Sequence, residues 1–157
     1  MLSGLYGTFC KIENPTKKDI ILVKELIEKM SLNNIADKNF YYLSDGEKQI
    51  SIIGRAIINN PKVLILDEPS VNIDLKSKIF LQKKIHNLSQ LGISILCITH
   101  DISFITKDYN RVIFLKDRKI IADGKPCKLM NTENINKLFD INIKIIKNSY
   151  SWDVYRE

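Results

Sequence analysis

The sequence predicts an α/β fold, a parallel sheet with flanking helices, and three observations carry that prediction. Apolar residues recur at helical spacing over residues 20–30, 50–57 and 75–88. The short apolar run at residues 63–66 is continuous instead of alternating, the pattern of a strand buried on both faces of a parallel sheet, and residues 93–98 form the next buried strand. The helical stretch 75–88 lies between those two segments, so strand, helix and strand form a βαβ crossover.

Residues 1–14 have no clear period, but Thr16 followed three residues later by Asp19 has the form of a capping box ahead of Ile20, Val23, Ile27 and Met30. Residues 40–43 are an aromatic-rich approach to a second helix start, Ser44 with Glu47. Ile50, Ile53 and Ile57 then share one face until Asn59-Asn60-Pro61 stops the helix. The strand at 63–66 runs into the acidic pair Asp67-Glu68. Leu75, Ile79, Ile85 and Leu88 mark a longer helix closed by Gly92, and the next strand covers 93–98. Short helical material at 101–107 leads to a strand at 112–115, a turn at Asp117-Arg118 and a partner strand at 119–122, a hairpin at a sheet edge ended by Asp123-Gly124. A helix over 132–139 and an extended segment over 141–146 complete the order.

With 157 residues, 45% hydrophobic and 27% charged, the chain has the composition of one soluble globular domain or a large piece of one. Every apolar run is too short to span a bilayer, and the N-terminus has no basic segment followed by an apolar stretch and a cleavage site, so membrane association is expected only through a partner. Cys10, Cys97 and Cys127 are odd in number and scattered, neither a disulfide framework nor a metal cluster, which fits a reducing cytosol. The formal charge of +6 comes from lysines spread singly and in pairs, with no basic run of the usual ~5 to 8 residues. A solvated surface is the better reading, and no nucleic-acid partner is expected.

Ser44 at a helix start places a hydroxyl beside the unpaired N–H groups of the first turn, and Gly46 lets that backbone approach a ligand closely. Such a helix end attracts phosphate, although the same residues also serve as a plain surface cap. The apolar strand delivers Asp67 and Glu68 at its carboxyl end, where ligands sit in open α/β sheets. There an aspartate can hold Mg²⁺ through water and a glutamate can orient or deprotonate an attacking water; a simple polar strand exit is the alternative. His100 ends the neighbouring strand, on the same sheet edge as Glu68 if the crossover is normal, and can donate to a γ-phosphate, or else cap or pack. Asp74 by itself reads as the cap of the helix beginning at Leu75.

In this order and spacing the four elements resemble the nucleotide-binding domain of ATP-binding cassette (ABC) proteins, over nearly all of the chain. Leu43-Ser44-Asp45-Gly46-Glu47 matches the family's signature motif, residues 63–68 its Walker B strand, Val71-Asn72-Ile73-Asp74 its D-loop and His100 its switch histidine. The resemblance implies a P-loop NTPase-like core and ATP and Mg²⁺ as cofactors. It implies that Asp67 supports the Mg²⁺ shell, that Glu68 is the catalytic base, that His100 contacts the γ-phosphate and that Asp74 couples the two sites of a dimer. Ser44, Asp45, Gly46 and Glu47 would contact ATP held by the opposite subunit. Asp45 stands where glycine is most common, Glu47 where glutamine is usual and Ile50 where many members have arginine.

A Walker A loop requires Gly-x-x-x-x-Gly-Lys-Ser/Thr, and none of the six glycines, Gly4, Gly7, Gly46, Gly54, Gly92 and Gly124, stands before Lys-Ser or Lys-Thr. The resemblance places Met1 just beyond the family's glutamine loop, so the phosphate loop, the adenine-stacking aromatic and that glutamine are expected upstream of this sequence. On that reading residues 1–60 are the helical signature subdomain and residues 61–157 the C-terminal part of an ATPase core that lacks its N-terminal strands. Unpaired strand edges and uncovered apolar faces then predict low stability without a partner. A separately encoded N-terminal half, a decayed or mis-started gene and a truncated piece all fit.

The function expected by resemblance is that of an ABC transporter ATP-binding subunit, coupling Mg-ATP binding and hydrolysis at a dimer interface to transport by a membrane permease. Its partners would be a second nucleotide-binding domain, in a homo- or heterodimer, and integral membrane permease subunits; its place would be cytoplasmic, peripheral to the membrane. Alone, this chain is expected to hold ATP weakly. One alternative is a non-hydrolysing interaction subunit that completes a partner's ATP site. Another is a soluble ABC ATPase of DNA repair or translation, though neither coiled-coil insertions nor a second cassette is visible. The tail after Lys125, with Tyr150 and Trp152, is similar to that of importers of metal chelates or oxyanions but carries no readable substrate chemistry.

Overall fold

The computed structural model describes Met1 and residues 15–156. Cys10 and the aperiodic stretch 2–14 therefore lie outside the described residues. The chain forms two compact units, Met1–Thr99 and His100–Glu157. The line at residue 60 drawn from the motifs separates roles, and compactness divides the chain at another place.

In the first unit, helix α1 (Lys17–Lys29) starts at the expected capping box. Asp19 N–H donates to Thr16 Oγ1 at 3.2 Å and Thr16 N–H to Asp19 Oδ2 at 2.8 Å. Helix α2 (Asp45–Ile57) begins at Ser44 and buries Ile50, Ile53 and Ile57, the stripe its spacing predicts. Strand β1 (Val63–Asp67), helix α3 (Leu75–Gln90) and strand β2 (Ser94–Ile98) follow, and β1 pairs with β2 in parallel, Leu64 beside Ile95 and Leu66 beside Cys97. Gly92, at φ 88°, makes the turn into β2 in the left-handed region that suits glycine. Lys84 on α3 donates to the Lys29 carbonyl at 3.1 Å and to Ser31 Oγ at 2.9 Å, satisfying an orphan carbonyl at the end of α1.

Burial in this sheet differs from the expectation. Leu64 and Leu66 are buried, but Val63, Ile65, Leu96 and Ile98 are 58%, 62%, 50% and 47% exposed. Residues paired in register share a face, so these four form one apolar surface on the opposite side of the sheet from Leu64 and Leu66. Among the described residues the parallel sheet is thus covered on one face instead of two, and it has two strands.

In the second unit, the helical material expected at 101–107 is a single 3₁₀ turn, Ile102–Phe104. Strands β3 (Val112–Lys116) and β4 (Lys119–Gly124) form the expected hairpin, with Asp117 at φ 50° and Arg118 at φ 63° as its two-residue turn. Among the described residues the hairpin is a two-stranded sheet of its own, where the sequence places it at the edge of a larger one. A short helix α4 (Pro126–Leu129), helix α5 (Thr132–Phe139) and a second hairpin of β5 (Ile143–Lys147) and β6 (Trp152–Arg156) complete the unit. Its core is Phe114, Met130, Ile135, Ile143 and Trp152. Neither α4 nor β6 is foreseen from sequence. The turn into β6 is made by Asn148, whose Oδ1 accepts from the N–H groups of Tyr150 at 2.8 Å and Ser151 at 2.6 Å.

Candidate functional site

The start of α2 is fixed by reciprocal bonds. Glu47 N–H donates to Ser44 Oγ at 3.2 Å, and Ser44 N–H donates to Glu47 Oε2 at 2.8 Å. That backbone donor, with the Ser44 side chain adding to it, holds the Glu47 carboxyl below its ordinary value. Leu43 is buried ahead of the cap, whereas Ser44 and Asp45 are exposed, and Lys48 lies 3.4 Å from Asp45 Oδ1. The first turn is therefore anchored on its core side and presents Ser44 and Asp45 to solvent.

Gly46 is buried. A methyl group placed on it would come within 2.3 Å of Ser77 Oγ and 2.4 Å of Ser77 Cβ, distances that real side chains do not tolerate. Beside the ligand approach expected from sequence, its bareness therefore has a packing role: it admits Ser77 from the first turn of α3. Ser77 in turn donates its N–H to Asp74 Oδ1 at 2.9 Å and its hydroxyl to Asp74 Oδ2 at 2.7 Å. Asp74 is the N-cap of α3, as its position before Leu75 suggests, and the Ser77 N–H, followed by the Ser77 hydroxyl, depresses its carboxyl pKa.

Asp67 closes β1 and is exposed. Glu68 leaves the strand at φ 45°, in the left-handed region, and Asn72 repeats that conformation at φ 61° after the buried Pro69 and Ser70. A non-glycine residue held there costs on the order of 1–3 kcal/mol, so surrounding bonds must impose it. Glu68 N–H donates to the Ile98 carbonyl at the end of β2 at 2.8 Å, Val71 N–H donates to the Glu68 carbonyl at 3.2 Å, and Thr99 Oγ1 donates to Glu68 Oε2 at 3.2 Å. One of the two left-handed residues of this loop is thus the one the sequence selects as a base, with its carboxylate steadied by a hydroxyl from the adjacent strand exit. His100 follows Thr99, is exposed and opens the second unit.

Within the first unit the structure brings Gly46 to the Asp74 turn through Ser77, and joins Glu68 to the end of β2. Sequence reasoning missed Ser77 and Thr99. The Asp-x-x-Ser spacing of 74–77 was a readable cap signal, whereas nothing local marks the Thr99 hydroxyl as a partner of Glu68. Among the described residues no group of three or more His, Cys, Asp or Glu side chains is placed to hold a metal ion. A hard cation at Asp67 would fill its other positions with water and a ligand's own oxygens, the usual manner of Mg²⁺.

The family model described as ABC transporter matches residues 8–71, a stretch that includes the Ser44 helix start and the β1 acidic pair. An uncharacterized ABC transporter ATP-binding protein of Methanocaldococcus jannaschii is 35% identical over 127 residues, covering 80% of this chain and 44% of that protein. A hemin import ATP-binding protein of Hahella chejuensis is 28% identical over 132 residues, 80% of this chain and 52% of its own. Among solved structures, an inward-facing transporter described as of metal-chelate type superposes with a TM-score of 0.81 at 22% identity, over 98% of this chain and 62% of that one, a likeness of fold. The chain spans about half the length of the curated relatives it matches.

Proposed function

We propose, for a chain that belongs to the ABC transporter ATP-binding family, that it is the signature-bearing and base-bearing part of an ATP-hydrolysing subunit that drives a membrane permease. Glu68 carries this reading: a carboxylate held at a strand exit by a left-handed backbone and by Thr99 is suited to orient a water and take its proton. The Ser44 helix start, with its first-turn N–H groups, binds phosphate oxygens of ATP held by a second nucleotide-binding domain, and Asp45 and Glu47 border that contact. His100 donates to the γ-phosphate, and the Asp74 turn reports between the two sites of the dimer. Mg²⁺ bound with ATP supplies charge neutralisation on the phosphates, and Asp67 holds its water shell. Among the described residues no helix is long and apolar enough to cross a membrane; in this reading the chain acts on the permease from the membrane's surface. The hemin importer among its relatives favours import.

No residue of this sequence forms a Gly-Lys-Ser/Thr phosphate loop, so ATP is held through a polypeptide that supplies one. The open apolar face of Val63, Ile65, Leu96 and Ile98 supports such a covering half. The test is to co-express this chain with the phosphate-loop half of an ABC ATPase and measure phosphate release. Hydrolysis that appears only with both halves and disappears in Glu68→Gln is expected. The missing phosphate loop also favours a second reading, a non-hydrolysing subunit that only completes a partner's site; there Glu68→Gln leaves the partner's hydrolysis intact while Ser44→Arg abolishes it. Tight ATP binding by the chain alone, measured by equilibrium dialysis, would overturn both.

A further inference from the structure

We infer that Ser77 is a positioning residue that locks the start of α2 to the Asp74 turn, so that a displacement of either is transmitted to the other. The importance of those two turns rests on the function proposed above; the lock itself rests on geometry. Both carboxylate oxygens of Asp74 are engaged by Ser77, one by its N–H at 2.9 Å and one by its hydroxyl at 2.7 Å, which fixes where its Oγ and Cβ lie. Those atoms fill the place a Gly46 side chain would take, 2.3 Å and 2.4 Å from a methyl there, while Ser77 Cα would stand at an ordinary 3.7 Å. Gly46 in turn lies between Ser44 and Glu47, whose reciprocal bonds fix its own backbone. No slack remains along Ser44, Gly46, Ser77 and Asp74. Serine meets both demands: alanine loses the hydroxyl bond to Asp74, and a longer side chain collides with Gly46. If the α2 start moves toward Ser77, the hydroxyl must leave Asp74, and the turn that Asp74 caps is released.

The test uses the full chain, labelled with ¹⁵N, and follows amide hydrogen exchange residue by residue. Gly46→Ala is expected to speed exchange of the Ser77 amide by about tenfold or more, the factor for loss of one hydrogen bond to a charged group, while mid-helix amides of α3 such as Leu81 and Ile85 keep their rates. A general loss of stability would instead speed all of them together. To keep the test decisive if Gly46→Ala does not fold, Gly46→Ala/Ser77→Gly is measured beside Ser77→Gly. With the Ser77 side chain gone only Cα at 3.7 Å remains, so the double variant should unfold within a few degrees of Ser77→Gly. Unchanged Ser77 exchange in a folded Gly46→Ala, or a double variant no more stable than Gly46→Ala alone, would refute the lock. Intact coupling with no hydrolysis in the two-half assay would refute the functional reading and leave the lock standing; the reverse pattern would refute the lock alone.

Discussion

Leu66→Ala and Leu96→Ala apply the same chemical change on opposite faces of one two-stranded sheet, and their costs should differ by a calculable amount. Leu66 is 7% exposed and Leu96 50% exposed. Truncating a buried leucine loses the transfer free energy and leaves a cavity, about 2–5 kcal/mol together. Full burial of a leucine side chain is worth about 1.5–3 kcal/mol, so the half-exposed Leu96 has about 1 kcal/mol to lose, and a gap open to water adds no cavity cost. With a urea slope of about 2 kcal/mol/M, Leu96→Ala should lower the unfolding midpoint by about 0.5 M and Leu66→Ala by at least about 1 M. The measurement is urea unfolding of the full chain by circular dichroism at several protein concentrations. Equal losses, independent of concentration, would mean that both faces are covered within the chain and that no open face exists. If a phosphate-loop half covers this face, Leu96→Ala should also weaken association by about fivefold, the equivalent of about 1 kcal/mol.

Three further outcomes follow from the geometry. Glu68→Gln should cut phosphate release by the two-half assembly by about 10²–10⁴-fold while leaving the stability of the chain, read by urea unfolding, within about 0.5 kcal/mol of the parent, since the amide oxygen can still accept from Thr99; a large stability loss would show that the carboxylate is structural. Ser44→Ala should cost about 1 kcal/mol through the lost cap, read by urea unfolding, and a cost near zero would show that the first turn of α2 does not need it. Glu47 is depressed by the Ser44 backbone N–H and Asp74 by the Ser77 N–H, so both carboxylates add stability that is present above the unfolded value near pH ~4 and is lost as pH falls through their lower folded values. Glu47→Gln/Asp74→Asn should therefore flatten the acid limb of thermal stability, and a parental acid limb would contradict that assignment.

What was legible in the sequence was what is local. The capping boxes at Thr16 and Ser44 and the cap at Asp74 involve residues three apart, so each was readable before any tertiary contact was known. The Asp117-Arg118 turn was readable from the strands around it, although neither residue is the glycine that such left-handed turns favour. Strand β6 was missed because Asp153, Tyr155 and Arg156 obscure an element whose buried anchor is the single residue Trp152. Helix α4, at four residues, is too short to show a period. The conformation of Glu68 was illegible for a different reason: nothing in a glutamate announces a positive φ, which is imposed through the end of β2. Ser77 against Gly46 is likewise a contact between residues far apart in the chain, with only the Asp-x-x-Ser half of it written locally.

The open sheet face links the sequence reading to the proposed assembly. A strand that needs to cover only one side can alternate polar and apolar residues, yet Val63, Leu64, Ile65 and Leu66 are apolar without a break. The extra apolar residues, Val63 and Ile65 with Leu96 and Ile98, gain little where they stand now and would gain most by being covered. Asp67 belongs to the same alternation as Val63 and Ile65, beside Ile98 in register, and so emerges on the open side of β1. Whatever covers that face therefore lies next to Asp67. In the assembly proposed here the covering half also carries the phosphate loop, so one docking event would bury the apolar surface and bring the phosphates to the carboxylate that holds the water shell of their Mg²⁺. Charge reversal by Asp67→Lys should then leave association of the two halves within about threefold while abolishing phosphate release; loss of association to the same degree as hydrolysis would show that Asp67 is part of the docking surface and not of the site beside it.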